Sequence, residues 1–171
     1  MAYASFPRGA AVSEPLSESR QPASVTSDFE LDDVRDLWLR MLRCGWKSLA
    51  LVPAAPAGST QKLARAICSV GTIYRGRGLP LLSASDLTLD SVNPFIYAMS
   101  RVGKSQTDQD EEEKLVVMLD SVITNPLGIA VALASDAVLL VIELGKTDER
   151  SARRTVELIG RDRFIGSVAL K

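Results

Sequence analysis

The 171-residue chain contains no histidine. That single absence removes the Ser-His and Cys-His pairings of nucleophilic catalysis and every His-ligated metal site. Its two cysteines, Cys44 and Cys68, stand alone in apolar or helical surroundings and match no metal or redox spacing. They read as reduced structural thiols of a cytoplasmic protein. Long apolar runs are missing as well: Asp136 and Glu143 interrupt the richest stretch, which falls short of the about 18 residues that a membrane-spanning helix needs. The N-terminus lacks the apolar segment of a secretory signal. Neither sign of charge dominates, the net value being −1, so nothing draws the whole chain to nucleic acid or anionic lipid. A soluble protein is expected, reaching a membrane only through a partner.

What is present is a globular balance, 46% hydrophobic and 24% charged, at a length that suits one domain with a substantial core. Residues 1–27, rich in Ser, Pro, Ala and Gly, read as a flexible tail preceding a domain over 28–171. Asp28 or Asp32 caps a first helix whose apolar positions Val34, Leu37, Trp38 and Met41 follow helical spacing, and Gly45 suits its end. A strand at Ser48–Val52 leads through a Pro/Ala/Gly/Ser turn into a helix reaching about Val70. A turn at Arg75–Gly78, a short strand at Leu79–Leu82 and a helix within Asp90–Arg101 follow, with Pro94 blurring the helix bounds. The run GKSQTDQDEEEK, Gly103–Lys114, reads as a solvated loop; its carboxylates have no coordinating spacing, and its Gly-Lys-Ser follows no strand.

The second half alternates most clearly. Apolar strands are expected at Leu115–Leu119, Ala137–Ile142 and Phe164–Leu170, with helices at Leu127–Ala134 and Ser151–Ile159 between them. Strand and helix alternating throughout predict an α/β fold of three layers. Its central, mainly parallel sheet has about five strands, and a ligand cleft lies at their carboxyl ends. The stretch SLALVPAAPAGSTQKL, Ser48–Leu63, is the natural phosphate-binding corner of such a fold, a strand turning into a helix N-terminus. A phosphate loop, however, asks for G-x-x-x-x-G-K-[ST], and Lys62 arrives late for that pattern.

The order of pieces resembles the ParA/MinD-like branch of P-loop ATPases, and within it the bacterial tyrosine kinases of capsule and exopolysaccharide assembly. The likeness is carried by VVMLDSVITNPLGIAVALASDAVLLV, Val116–Val141, continued by IELGKTDERSARRTVEL and closed by FIGSVAL. It implies that Pro56, Ala57, Gly58, Ser59, Thr60 and Gln61 occupy the phosphate-loop positions, with Thr60 where the family has its lysine and Gln61 where it has the metal-binding hydroxyl. The second acidic motif is represented by Ser83 and Ser85, which carry no carboxylate. Asp120 alone keeps the Walker B position. The first helix also resembles the family's E-x-x-R-x-x-R self-association motif, with Asp32, Arg35 and Trp38 in the three places, so a homo-oligomer through residues 30–43 is a further expectation.

Phosphoryl transfer depends on the lysine, the metal and its carboxylates to lower the barrier. Their loss implies a pseudo-ATPase with no catalytic residues and no metal. ATP and Mg are not expected as cofactors, and the module would bind or regulate a membrane polysaccharide co-polymerase or a related kinase. Two alternatives stand beside it: an active ATPase or tyrosine kinase using Lys62 and Asp120, and a ParA-like positioning protein of a pilus or cellulose machine.

Overall fold

A computed structural model describes residues 31–102 and 113–171. The expected tail at 1–27 and nearly all of the charged loop lie outside the described residues. The elements run α1 (Leu31–Leu42), β1 (Ser48–Pro53), α2 (Gln61–Arg75), β2 (Leu81–Ala84), α3 (Leu89–Val102), β3 (Leu115–Leu119), α4 (Leu127–Ala134), β4 (Ala137–Glu143), α5 (Glu149–Ile159) and β5 (Phe164–Leu170). All five strands pair in parallel, in the order β2-β3-β1-β4-β5. The three-layer α/β reading of the sequence therefore holds.

Central strands buried on both faces need no alternation of polar residues, which is why β1, β3 and β4 read as continuous apolar runs. Alternate side chains still divide between two cores. Leu49 and Leu51 pack with Trp38, Ile67 and Val70 beneath α1 and α2. Ala50 and Val52 pack with Val117, Val131 and Val138 beneath α3, α4 and α5. Because the chain leaves β1 toward β2 and later crosses to β4 on the other side, the strand order reverses around β1, and its carboxyl end opens onto the crevice of the fold.

Several boundaries differ from the sequence reading. The second strand is Leu81–Ala84 rather than Leu79–Leu82. Leu79 is instead part of the α1–α2 core, and its N–H bonds to the Thr72 hydroxyl at 3.2 Å. Helix α2 continues past Val70 to Arg75, where Gly76 adopts a left-handed conformation that ends it. Helix α3 spans Leu89–Val102 with Pro94 inside it, one residue longer at each end than the helix expected within Asp90–Arg101. Asp32 sits within the first turn of α1, and Asp28 lies outside the described residues.

The self-association motif fares unevenly. Trp38 is fully buried, stacked edge-on against Trp46 with ring centroids 5.8 Å apart, so it faces the core. Arg35 donates to the Tyr74 hydroxyl at 3.1 Å and reaches Asp32 at 3.4 Å, fastening α1 to α2. Among the described residues, no helix is long and apolar enough to cross a membrane. Both cysteines are free thiols, and burial pushes Cys68 up to about 11.

At the amino end of the sheet, Asp136 accepts hydrogen bonds from the Ser48 N–H at 2.7 Å, the Ser48 hydroxyl at 2.8 Å and the Lys47 N–H at 3.1 Å. Partial burial raises this carboxyl, but the donors from Ser48 and Lys47 together outweigh it and leave Asp136 below its ordinary value. Asp136→Ala should therefore lower the unfolding free energy by about 1 kcal/mol, read from urea denaturation.

Helix α2 meets α1 at Gly71, where an added methyl would stand 2.8 Å from the Trp38 ring and 2.7 Å from Leu79. Alanine gains roughly 1 kcal/mol of helix propensity over glycine. Overpacking against a buried indole costs about 1–3 kcal/mol and should win. Gly71→Ala is thus expected to lower the melting temperature, measured by circular dichroism.

Candidate functional site

The phosphate-loop positions form a loop between β1 and α2, closed tightly onto the strand that carries it. Ala54 donates to the Val141 carbonyl at 2.8 Å, and Gly58 donates back to Ala55 at 3.0 Å. The second bond makes Ala55–Gly58 a four-residue turn with Pro56 in its second place, the position proline favours. A side chain on Gly58 would meet Pro53 Cβ at 2.9 Å and the Ala55 oxygen at 3.2 Å, so close approach demands the glycine. Pro56 and Ala57 point outward at the exposed tip.

What the loop's donors face decides its chemistry. The Ser59 N–H donates to Glu143 Oε1 at 2.7 Å, while the Lys146 ammonium donates to Glu143 Oε2 at 2.8 Å. The Gln61 N–H is turned to the Ser59 hydroxyl at 3.3 Å. A protein carboxylate thus sits against the loop where it opens to α2. Lys146, first, and the Ser59 N–H, next, hold that carboxyl below its ordinary value against the opposing effect of burial, with a further contribution from Lys62. The turn after β4 is shaped for this: Lys146 and Thr147 donate their N–H groups to the Glu143 carbonyl, the Thr147 hydroxyl accepts the Glu143 N–H, and Gly145 is left-handed.

Thr60, in the lysine position, is buried, and its hydroxyl lies 3.5 Å from the Leu119 carbonyl on β3. Its side chain caps no N–H of α2. Beside it opens a cleft of about 220 Å³ lined by Ser59, Thr60, Gln61, Ser83, Ser85 and Asp120. The structure therefore gathers the loop, the β2 end and the β3 end into one place, as the sequence reading expected. Asp120 accepts from the Ser85 hydroxyl at 3.4 Å and from the Asp86 N–H at 3.3 Å, and the Ser83 and Ser85 hydroxyls lie 2.9 Å apart. Asp86, adjacent to the second motif, has φ of 54° and presents its backbone rather than its carboxylate to Asp120.

Lys62 is exposed on the first turn of α2, and its charge is felt at Glu143. The cleft itself is lined by hydroxyls, one amide and a single carboxylate, a set able to donate and accept hydrogen bonds but poor in positive charge. Among the described residues, no three of His, Cys, Asp and Glu are grouped to hold a metal ion.

Glu143 and Lys146 were missed as site residues. The sequence shows Glu143 only as a carboxylate closing an apolar strand; that this strand lies next to β1, so that its carboxyl end opens onto the crevice, is set by the strand order. No known family model matches the chain, and no curated protein matches it.

Glu143→Gln should leave the fold intact but weaken the tie. Amide exchange at Ser59 and Gln61 is expected to rise, with a loss of about 1 kcal/mol in unfolding free energy. Because the Glu143 carboxyl is lowered in the folded state, its contribution is complete above the ordinary glutamate value near 4.3. It disappears as pH falls through the lowered folded value. Wild-type stability measured across that acid range should therefore fall more steeply than that of Glu143→Gln.

Proposed function

We propose that the domain is a pseudo-ATPase, a nucleotide-site scaffold retained to bind or regulate a protein partner. The observation that carries this is the Glu143 carboxylate bonded to the Ser59 N–H at 2.7 Å and to Lys146 at 2.8 Å. A triphosphate approaching the loop meets a negative charge that already uses one of its donors and the nearby cation. At about 4 Å two like charges repel by roughly 4 kcal/mol at the effective dielectric of a protein surface. The buried Thr60 hydroxyl contributes no compensating charge.

The setting in exopolysaccharide synthesis or export rests on the likeness of Val116–Val141 and the segments after it to the capsule and exopolysaccharide kinases. A membrane co-polymerase or a related kinase is the partner this reading names, with the protein itself cytoplasmic. The outward side of α1, where Asp36, Leu39 and Arg40 are exposed, is the surface offered to it.

Isothermal titration with Mg-ATP should give no saturable heat at submillimolar ligand, and malachite-green assays no phosphate release above background. Tight binding with turnover abolished by Lys62→Ala or Asp120→Ala would overturn the proposal in favour of an unconventional enzyme.

A further inference from the structure

The two edges of the sheet are unlike. Strand β2 has four residues and follows Pro80, two devices that discourage pairing with another chain. Strand β5 has seven residues, FIGSVAL, with neither charge nor proline. Among the described residues it pairs only with β4, and Gly166, Ser167 and Ala169 are exposed. Such an edge is a template for strand addition.

Beside this edge α5 stops short of covering β5. Two adjoining cavities of about 460 and 380 Å³ share Leu140, Val156 and Arg161, and Phe164 and Ser167 contribute to the floor. The wall of this groove carries Glu149, Arg153 and Glu157, set one helical turn apart on α5 with alternating sign, and Arg161 just beyond the helix end at Gly160. A pair of opposite charges becomes its own complement when its direction is reversed. Against a reversed copy of the helix, Arg153 faces Glu157 and Glu157 faces Arg153. A copy running the same way would set like against like.

We propose that β5 and the α5 groove form the two-fold interface of a dimer of this chain. A two-fold axis perpendicular to the sheet sets β5 antiparallel to β5 of the second copy and joins two five-stranded sheets into one. The same axis supplies the reversal of α5 that the charges require. The two α5 helices then flank the joined edges on one face of the sheet, where long Arg and Glu side chains can bridge them over the shared floor. Exposed pairs already present within α5, such as Arg153 with Glu149 at 3.0 Å, are 71% and 85% exposed and bind weakly enough to be exchanged. A second copy is favoured over an unrelated partner because one alternating stripe satisfies both sides at once.

Sedimentation velocity of the full chain from micromolar to submillimolar concentration should show a reversible dimer. R153E places like charges opposite Glu157 at two symmetric points and should weaken dimerisation by at least about tenfold. The charge-swapped R153E plus E157R should restore it. Ser167→Lys, which puts a charge on the open edge, should give a monomer with an unchanged circular dichroism spectrum. A wild-type chain that stays monomeric throughout overturns the proposal. So does a dimer indifferent to both single variants, or an R153E defect that the swap does not rescue.

Discussion

Strand β1 is held from β4 at both ends by carboxylates, and the rest of the domain depends on that clamp. Asp136, one residue before β4, receives the N–H groups of Lys47 and Ser48 where β1 begins. Glu143, the last residue of β4, receives the Ser59 N–H beyond the end of β1. Between them run the parallel bonds that pair Leu49 with Ala137 through Pro53 with Val141. A strand with neighbours on both edges and helices on both faces has almost no freedom to shift. The loop that follows it is therefore placed by the core rather than by its own sequence.

The clamp also settles how the crevice is charged. A helix N-terminus following a buried strand is a donor-rich corner that favours negative charge. In this chain the negative charge comes from β4, and the turn Gly145-Lys146-Thr147 is folded around the residue that brings it. The remaining polar groups of the cleft, chiefly Ser83, Ser85 and Thr60, are neutral. Asp120 is engaged by Ser85 and by the backbone of Asp86. Phosphoryl transfer draws its rate from cations aimed at developing negative charge, and this arrangement aims Lys146 at a glutamate. The pseudo-ATPase reading follows from that direction of charge more than from any single missing residue.

Away from the crevice, the domain divides its surface between guarded and open parts. The inner side of α1 is closed onto its neighbours by the Trp38–Trp46 pair and by the Arg35–Tyr74 bond, and β2 ends the sheet in four residues. The β5 side has no such guard among the described residues, and the charged face of α5 lies beside it. The contact proposed at α1 and the contact proposed at the β5 edge lie on different parts of the domain, so variants of one leave the other untouched.

The sequence by itself determined the class of fold. Short apolar runs rich in Val and Leu such as LALV and AVLLV suit strands buried on both faces, and helical stretches alternating with them favour a parallel sheet. The family likeness, rather than any spacing, set Pro56, Ala57, Gly58, Ser59, Thr60, Gln61, Ser83, Ser85 and Asp120 together; the structure lines one cleft with these except Pro56 and Ala57, which stay at the exposed tip. Boundaries were less legible. Leu79 looked like strand because it is apolar, yet its packing against the α1–α2 core took it out of the sheet. Only the tertiary structure decided that Trp38 faces inward, and that Glu143 turns its carboxylate to the Ser59 N–H 84 residues earlier in the chain. Contacts of that span depend on strand order, which local spacing does not encode, since β4 meets β1 only after the chain has travelled to one edge of the sheet and back.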